Sequence, residues 1–323
     1  MRDCTAGLDP ILLESGSHLP VAIAHRSFGH GPLRVLLLHA LTGSAEAIDE
    51  DGKGWWAPML LEGAPLGPSA AKVTCPNLPG SCYGSIGPKE LSPFPDLTPR
   101  DQARALAAWI EASHLRFDLC LGGSLGGMVA LELALLIPDR LGVVGVMGAG
   151  GRADAWIRAA CHAQRRILES PLEDEVALSL VRQVAMAAFR SAESLEARFP
   201  AEGLEDWLDH HGRALASRFS RKSLHVLLGA MARFDLGRDR GGLSQALKGL
   251  NHSLHILGIR SDQLFVPALL QELADAAHRA NRLGSLTWLE SPHGHDAFLM
   301  EWEALEEWLT HRVLPTCRSR IAS

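Results

Sequence analysis

Residues 119–138 constrain the chain more than any other stretch. They form an apolar run of nearly membrane-spanning length, yet Gly122, Gly123, Gly126 and Gly127 interrupt it, Glu132 lies inside it and Pro138 ends it. A continuous spanning helix would carry none of these without special reason. A strand over residues 117–121 (FDLCL), a sharp turn and a helix over 125–137 account for the run better. The turn reads Gly122-Gly123-Ser124-Leu125-Gly126, a G-x-S-x-G pattern in the strand-turn-helix setting that presents a serine as a nucleophile. Such a turn strains the serine backbone, so the residues two before and two after it must be small, as Gly122 and Gly126 are. A phosphate-cradling reading fails, because the glycines do not match G-x-G-x-x-G and come too late in the chain.

Around this turn the chain alternates short apolar runs with helical patterns, the mark of β-α units and a parallel sheet covered on both faces. Strands are expected at 34–39 (RVLLLH), 72–75 (KVTC), 117–121 and 142–147 (GVVGVM). Thr98-Pro99-Arg100-Asp101 reads as a helix start, with a Thr N-cap, Pro in the first turn and an acidic third position. Leu106, Trp109 and Ile110 share a face of that helix. Strand rhythm then stops for about ninety residues of helical pattern, with Leu178, Val181, Val184 and Ala185 as one apolar stripe and Leu224, Leu227 and Leu228 as another. It resumes at 252–258 (HSLHILG) and 285–289 (SLTWL), and a helix over 297–309 follows. The fold class is α/β: a mostly parallel sheet flanked by helices, its core in residues 1–152 and 246–323, with a helical lid inserted at 153–245. The Gly/Pro-rich loop 77–97 is long enough to suggest a functional segment.

A serine hydroxyl needs a histidine base oriented by a carboxylate, and in this architecture the order is Ser, Asp or Glu, then His, on loops at the C-terminal ends of strands. Asp262 follows the strand 252–258, and His295 follows 285–289. His293 competes two residues upstream, and His293-x-His295 resembles half a metal site, but no third ligand stands at a metal-motif spacing, so no metal is expected. Asp235 and Asp239 are alternative acids, but they fall in the helical insertion. The oxyanion donors expected are the N–H groups of Leu125, next to the nucleophile, and Leu41, in the loop after 34–39.

Composition narrows the classes further. A net charge of −6 without a long basic run argues against nucleic acid or an anionic membrane surface as partner. The six cysteines show no C-x-x-C and no paired zinc spacing, and the first residues lack an apolar leader. Reduced thiols and a cytoplasmic location are the expectation.

Taken together, His39-Ala40-Leu41-Thr42-Gly43, Gly54-Trp55-Trp56, Asn77 with Cys82-Tyr83-Gly84-Ser85 and Gly87-Pro88, Gly122-Gly123-Ser124-Leu125-Gly126-Gly127-Met128, Ser261-Asp262 with Leu264-Phe265, and Gly294-His295-Asp296-Ala297-Phe298-Leu299 resemble the homoserine O-acetyltransferases of methionine biosynthesis and their serine- and succinyl-transferring relatives. The resemblance implies an α/β-hydrolase fold with a helical lid and a homodimer formed through it. It implies ping-pong transfer from acetyl-CoA or succinyl-CoA to L-homoserine or L-serine, with no tightly bound cofactor. Carried over, Ser124 is the nucleophile, Asp262 the acid, His295 the base, and Leu41 and Leu125 the oxyanion donors. Arg165 would bind the acceptor's carboxylate and Asp296 its ammonium; the bland readings are a surface lid residue and a helix N-cap. Phe189 stands where the family has a tyrosine, and the chain is shorter than is usual for the family. Two rivals remain: a carboxylesterase with an apolar pocket, and a non-catalytic binding protein, which would need a broken triad. The segment 153–245 holds 13 basic and 13 acidic residues, so the core carries the whole −6, and an anionic acyl-CoA is expected to approach along lid arginines.

Overall fold

Alternation along the strands dictates a three-layer arrangement. In the computed structural model, which describes residues 3–321, Leu36 and Leu38 point into one apolar layer while Val35 and Leu37 point into the other. Cys120 against Leu119 and Leu121, and Val144 and Val146 against Val143 and Met147, divide the same way. The strands are β1 (Asp3–Leu12), β2 (His18–Phe28), β3 (Leu33–Leu38), β4 (Ala71–Pro76), β5 (Phe117–Gly123), β6 (Leu141–Met147), β7 (Leu254–Ile259) and β8 (Leu283–Leu289), in the order β1-β2-β4-β3-β5-β6-β7-β8. From β3 to β8 every pairing is parallel or runs through parallel neighbours, while β2 lies antiparallel to β1 and β4. The hairpin β1–β2 was not expected from the sequence pattern.

The helices are α1 (Pro99–Ala112), α2 (Leu125–Leu136), α3 (Ala155–Leu168), α4 (Asp174–Phe189), α5 (Ala192–Arg198), α6 (Leu204–Ala216), α7 (Arg221–Ala232), α8 (Leu243–Leu247), α9 (Pro267–Arg279), α10 (Trp302–Trp308) and α11 (Leu314–Ile321). Helices α1, α2 and α9 cover one face of the sheet, and α10 and α11 with the segment around Trp56 cover the other. The start of α1 is a capping box: Asp101 N–H donates to Thr98 Oγ1 at 3.1 Å, and Thr98 N–H donates to Asp101 Oδ2 at 3.0 Å. The single helix expected over 297–309 is instead a 3₁₀ turn at Gly294–Leu299 followed by α10. No helix among the described residues is long and apolar enough to cross a membrane.

Helices α3 to α8 lie between β6 and β7. The insertion is closed at its base, where Ala153 N–H donates to Phe234 O at 2.8 Å and Arg152 bridges Asp235. Ala246 and Leu247 of α8 are buried in the central core, so core packing resumes near the end of the segment 153–245. On α4, Leu178, Val181 and Ala185 are buried, but Val184 is exposed: it belongs to a second apolar stripe with Leu172, Val176 and Leu180 on the outer face.

A buried ion network ties this insertion to the sheet. Glu132 of α2 accepts from Arg100 of α1 at 3.2 Å and from Arg240 at 2.7 Å. Glu14, in the β1–β2 turn, holds the other side of Arg100 at 2.9 Å and Arg238 at 2.7 Å. Burial pushes the Glu132 carboxyl up, against the two guanidiniums that hold its charged form. Removing one member of such a network strands its partners in a poorly solvated interior. Glu132→Ala is therefore expected to lower unfolding stability by about 3–5 kcal/mol, measured as a shift in the urea midpoint at unchanged slope.

Candidate active site

The backbone of Ser124 has φ 53° and ψ −123°, a conformation that non-glycine residues occupy at a cost of order 1–3 kcal/mol. It lies between the last residue of β5 and the first of α2, and its N–H is held by Met147 O at 2.9 Å. The flanking glycines are dictated by backbone contact. A Cβ on Gly122 would stand 2.3 Å from Gly126 O, and one on Gly126 would stand 2.2 Å from Leu38 O. The turn therefore packs directly on the end of β3.

His295 Nε2 lies 2.9 Å from Ser124 Oγ, and His295 Nδ1 lies 2.7 Å from Asp262 Oδ2. Asp262 Oδ1 accepts the N–H groups of Leu264 and Phe265, each at 2.8 Å, which fixes the carboxylate before it meets the imidazole. The structure thus brings Ser124, His295 and Asp262 into one hydrogen-bonded line. Asp262 accepts from Nδ1–H, which leaves the Nε2 lone pair for the Ser124 hydroxyl proton. Phe265 stacks on the His295 ring at 5.1 Å, and Phe298 and Phe189 enclose it at 5.6 and 5.7 Å. Burial opposes the imidazolium, but the charge and hydrogen bond of Asp262, with a smaller contribution from Asp296, outweigh it, and the His295 pKa lies above the ordinary 6.5. His293 is turned elsewhere: its Nδ1 meets Ser194 Oγ at 3.0 Å and its Nε2 lies 3.9 Å from Glu301.

Ser124 opens into a cavity of about 170 Å³. Leu41 lines it, and Leu125, as the first residue of α2, has an N–H with no intrahelical acceptor. The loop carrying Leu41 is held by residues whose roles the sequence did not disclose. His39 is fully buried; its Nδ1 pairs with Ala40 O at 2.8 Å and its Nε2 accepts Leu78 N–H at 3.1 Å. Burial, above all, lowers its pKa to about 4, so it holds this position as a neutral ring. Asn77 Oδ1 accepts Ala45 N–H at 2.7 Å, and Trp55 Nε1–H donates to Ser44 O at 2.9 Å. From the insertion, Arg218 donates to Thr42 O at 2.8 Å and to the Tyr83 hydroxyl at 2.7 Å.

The expected carboxylate-binding Arg165 is not brought to this cavity. It sits on the α3 side that faces α7, where its Nε–H donates to His225 Nε2 at 3.3 Å. The arginines that line the cavity are Arg182 of α4 and Arg218. Both Arg165 and Arg182 follow hydrophobic periodicity on lid helices; which one faces inward depends on how each helix is rolled against the core, and only the assembled fold settles that. Among the described residues Arg182 has neither an ion pair nor a hydrogen bond; it makes a cation-π contact with Phe189 at 5.6 Å, and burial lowers its pKa against the opposing charge of Asp296. Asp296 does line the cavity, with its Oδ2 3.3 Å from Arg190 Nε. A free guanidinium and a carboxylate thus face the same small space as the serine.

Residues 35–308 match the model of the alpha/beta hydrolase family. Homoserine O-acetyltransferase of Nostoc punctiforme is 36% identical over 92% of this chain and 92% of its own length. That of Thermus thermophilus is 38% identical over 92% of this chain and 87% of its own. Among solved structures, homoserine O-acetyltransferase from Staphylococcus aureus superposes with a TM-score of 0.84 at 24% identity, covering 96% of this chain and 94% of that one. Esterase E22 also reaches 0.84, at 18% identity over 95% and 98%. At those identities the two structures speak for the fold.

The raised His295 pKa sets a pH dependence. Its neutral, proton-accepting form is lost as pH falls through that pKa, so the rate of Ser124 labelling by a fluorophosphonate should drop with a midpoint above 6.5. Asp296→Asn removes one of the charges that raise it and should move the midpoint to lower pH. Asp262→Asn should cut the labelling rate by about 10⁴-fold. Pseudo-first-order labelling rates across pH for the three proteins check this.

Proposed function

The chain belongs to the homoserine O-acetyltransferases of the α/β-hydrolase family, and on that premise we propose that it transfers an acetyl group from acetyl-CoA to the hydroxyl of L-homoserine, a step toward methionine, in the cytoplasm. The observation that carries this reading is the cavity itself: Ser124 and His295 share it with Arg182 and Asp296, a cation and an anion placed for the two ends of a zwitterion. Such groups gain strength in a closed, poorly hydrated space.

Ser124 Oγ attacks the thioester carbonyl as His295 Nε2 takes its proton. The oxyanion is held by the N–H groups of Leu41 and Leu125. The C–S bond breaks, the departing thiolate takes the proton from His295, and an acetyl-serine remains. The acceptor hydroxyl then attacks that ester and gives its proton to His295. The Ser124 Oγ–acyl bond breaks, and Oγ regains a proton from His295. Arg182 binds the acceptor carboxylate and Asp296 its ammonium, which orients the hydroxyl toward the acyl carbon. Water must be kept out for transfer to prevail over hydrolysis, and Phe189, Arg182 and Arg218 of the insertion roof the site. No tightly bound cofactor takes part in these steps; the acyl-CoA is a co-substrate.

Succinyl-CoA as donor, L-serine as acceptor and plain ester hydrolysis are the competing assignments. The last is the mode of the esterases that share the fold, but an ester pocket has no use for a free buried guanidinium beside the nucleophile. Incubation with acetyl-CoA should release thiol quickly only when L-homoserine is present, with O-acetylhomoserine detected by mass. Equal release with and without the acceptor would favour the esterase, and faster turnover with L-serine or succinyl-CoA would reassign the substrates. Arg182→Ala should lower kcat/KM for the acceptor by roughly 10- to 150-fold, the worth of a charged hydrogen bond, while acyl-enzyme formation seen by intact mass persists.

The outer stripe of Val176, Leu180 and Val184 on α4, with Leu172 just before the helix, leaves four large apolar side chains in solvent. It supports a homodimer through the insertion. Light scattering should give a dimer for the native protein and a monomer for a Val176→Asp, Leu180→Asp double variant; an unchanged mass would remove this interface.

A further inference from the structure

Beyond the cavity, the insertion presents a second group of arginines that the acceptor does not explain. Arg190 sits on the rim: its Nε is 3.3 Å from Asp296, which lines the cavity, and its Nη1–H donates to Met300 Sδ at 2.9 Å. Its guanidinium also lies over the Trp207 ring, 5.7 Å from the centroid. Arg198 reaches the same indole at 5.9 Å and Phe199 at 5.4 Å. Phe199 and Trp207 touch at 5.4 Å, and His211 packs edge-on to Trp207 at 4.5 Å. One indole therefore holds two guanidiniums within cation-π range and leads from the rim outward.

Among the described residues the two guanidiniums have one ion-pair partner between them. Asp296 is the carboxylate paired with Arg190, and among the described residues Arg198 has no ion pair and no hydrogen bond. His211 responds to the imbalance: burial, then Arg182, His210, Arg190 and Arg198, lower its pKa to about 4. In a larger cavity of about 530 Å³, between the loop 88–94 and α7, the cations Arg221 and Lys222 are matched in number by the carboxylates Glu169 and Asp174. The guanidinium of Arg221 there is engaged by the carbonyls of Leu168, Ser170 and Leu172 and by Asp174, and Glu169 meets His225.

We propose that Arg190, Arg198 and Trp207 form the docking face for the phosphorylated nucleotide end of the acyl-CoA donor, with the indole holding the two guanidiniums toward the phosphates. This rests on the acyl-CoA reading of the active site. The acyl end must reach Ser124 inside the cavity, while the phosphates are too strongly hydrated to follow it. They need cations at the rim, and planar guanidiniums suit phosphate oxygens.

The test compares two donors that share an acetyl thioester: acetyl-CoA, and S-acetyl-N-acetylcysteamine, which lacks every phosphate. Arg198→Ala and Trp207→Ala should each lower the ratio of kcat/KM for acetyl-CoA to that for the short donor by about tenfold, chiefly through KM for acetyl-CoA, and Arg198→Lys should restore part of it. Adenosine 3′,5′-bisphosphate should inhibit the native enzyme competitively against acetyl-CoA and inhibit Arg198→Ala about tenfold more weakly. An unchanged donor ratio in both alanine variants would overturn the docking face while leaving the reaction intact. A native enzyme that turns over the short donor but gains nothing from acetyl-CoA would overturn the acyl-CoA reading and the docking face together.

Discussion

No side chain fits at Gly122 or Gly126, on either side of the Ser124 turn from β5 into α2, and the geometry of the site follows from that. Gly122 and Gly126 meet backbone to backbone, and Gly126 in turn rests on the carbonyls of Leu38 and His39. The strand that ends at Ser124 and the strand that begins the Leu41 loop are therefore in contact through main-chain atoms. The spacing between Ser124 Oγ and the loop cannot relax by changing a rotamer, as it could if a side chain lay between them. Strain at Ser124 persists because both flanks are fixed, by the Met147 carbonyl and the parallel neighbours on one side and by the first turn of α2 on the other.

The Leu41 loop is irregular, so its polar groups need partners from elsewhere. They come from far apart in sequence: His39 to Leu78, Ala45 to Asn77, Thr42 to Arg218. A loop tied down in this way at several points is held rigidly. Arg218 is the one of these partners that belongs to the insertion, and Arg182 and Phe189 of the same insertion close the cavity. The insertion thus both holds the Leu41 loop and closes the cavity, so a change in its packing would reach Ser124 by two routes.

Local signals were the legible ones. The strand-turn-helix around Ser124, the capping box at Thr98 and Asp101, and the apolar strands from β3 to β8 are each set by a few neighbouring residues, and each lies where the sequence pattern puts it. The hairpin β1–β2 is hard to read because β1 is largely exposed, because Pro10 and Pro20 fall inside its strands, and because Glu14-Ser15-Gly16-Ser17 is a weak turn signal. The order Ser124, Asp262, His295 could be placed because loops at strand ends point the same way in a parallel sheet. Arg165 and Arg182 could not be told apart on the same basis. A helical stripe predicts that one face is buried, but a broad apolar face leaves the roll undetermined, as Val184 also shows by lying outside the stripe it was grouped with.

The same limit applies to charge. The segment 153–245 has equal numbers of acidic and basic residues, and on that count alone it exerts no field. Its acidic residues are segregated to the outside: Glu173, Asp174, Glu175, Glu193, Glu196, Glu202, Glu205 and Asp206 are all exposed, most of them in the first turns of α4, α5 and α6 where they favour the helix dipole. Arg158, Arg166, Arg198, Arg213 and Lys222 are exposed too, but Arg182, Arg190 and Arg218 gather at the cavity and its rim, where, among the described residues, Asp296 is the one carboxylate lining the cavity. Outward carboxylates are screened within about 8–10 Å of ionic solution, whereas cations set against aromatic rings and a dry cavity keep most of their reach. A neutral segment can therefore present a positive mouth, and the potential an incoming anion meets is decided by which face each charge occupies.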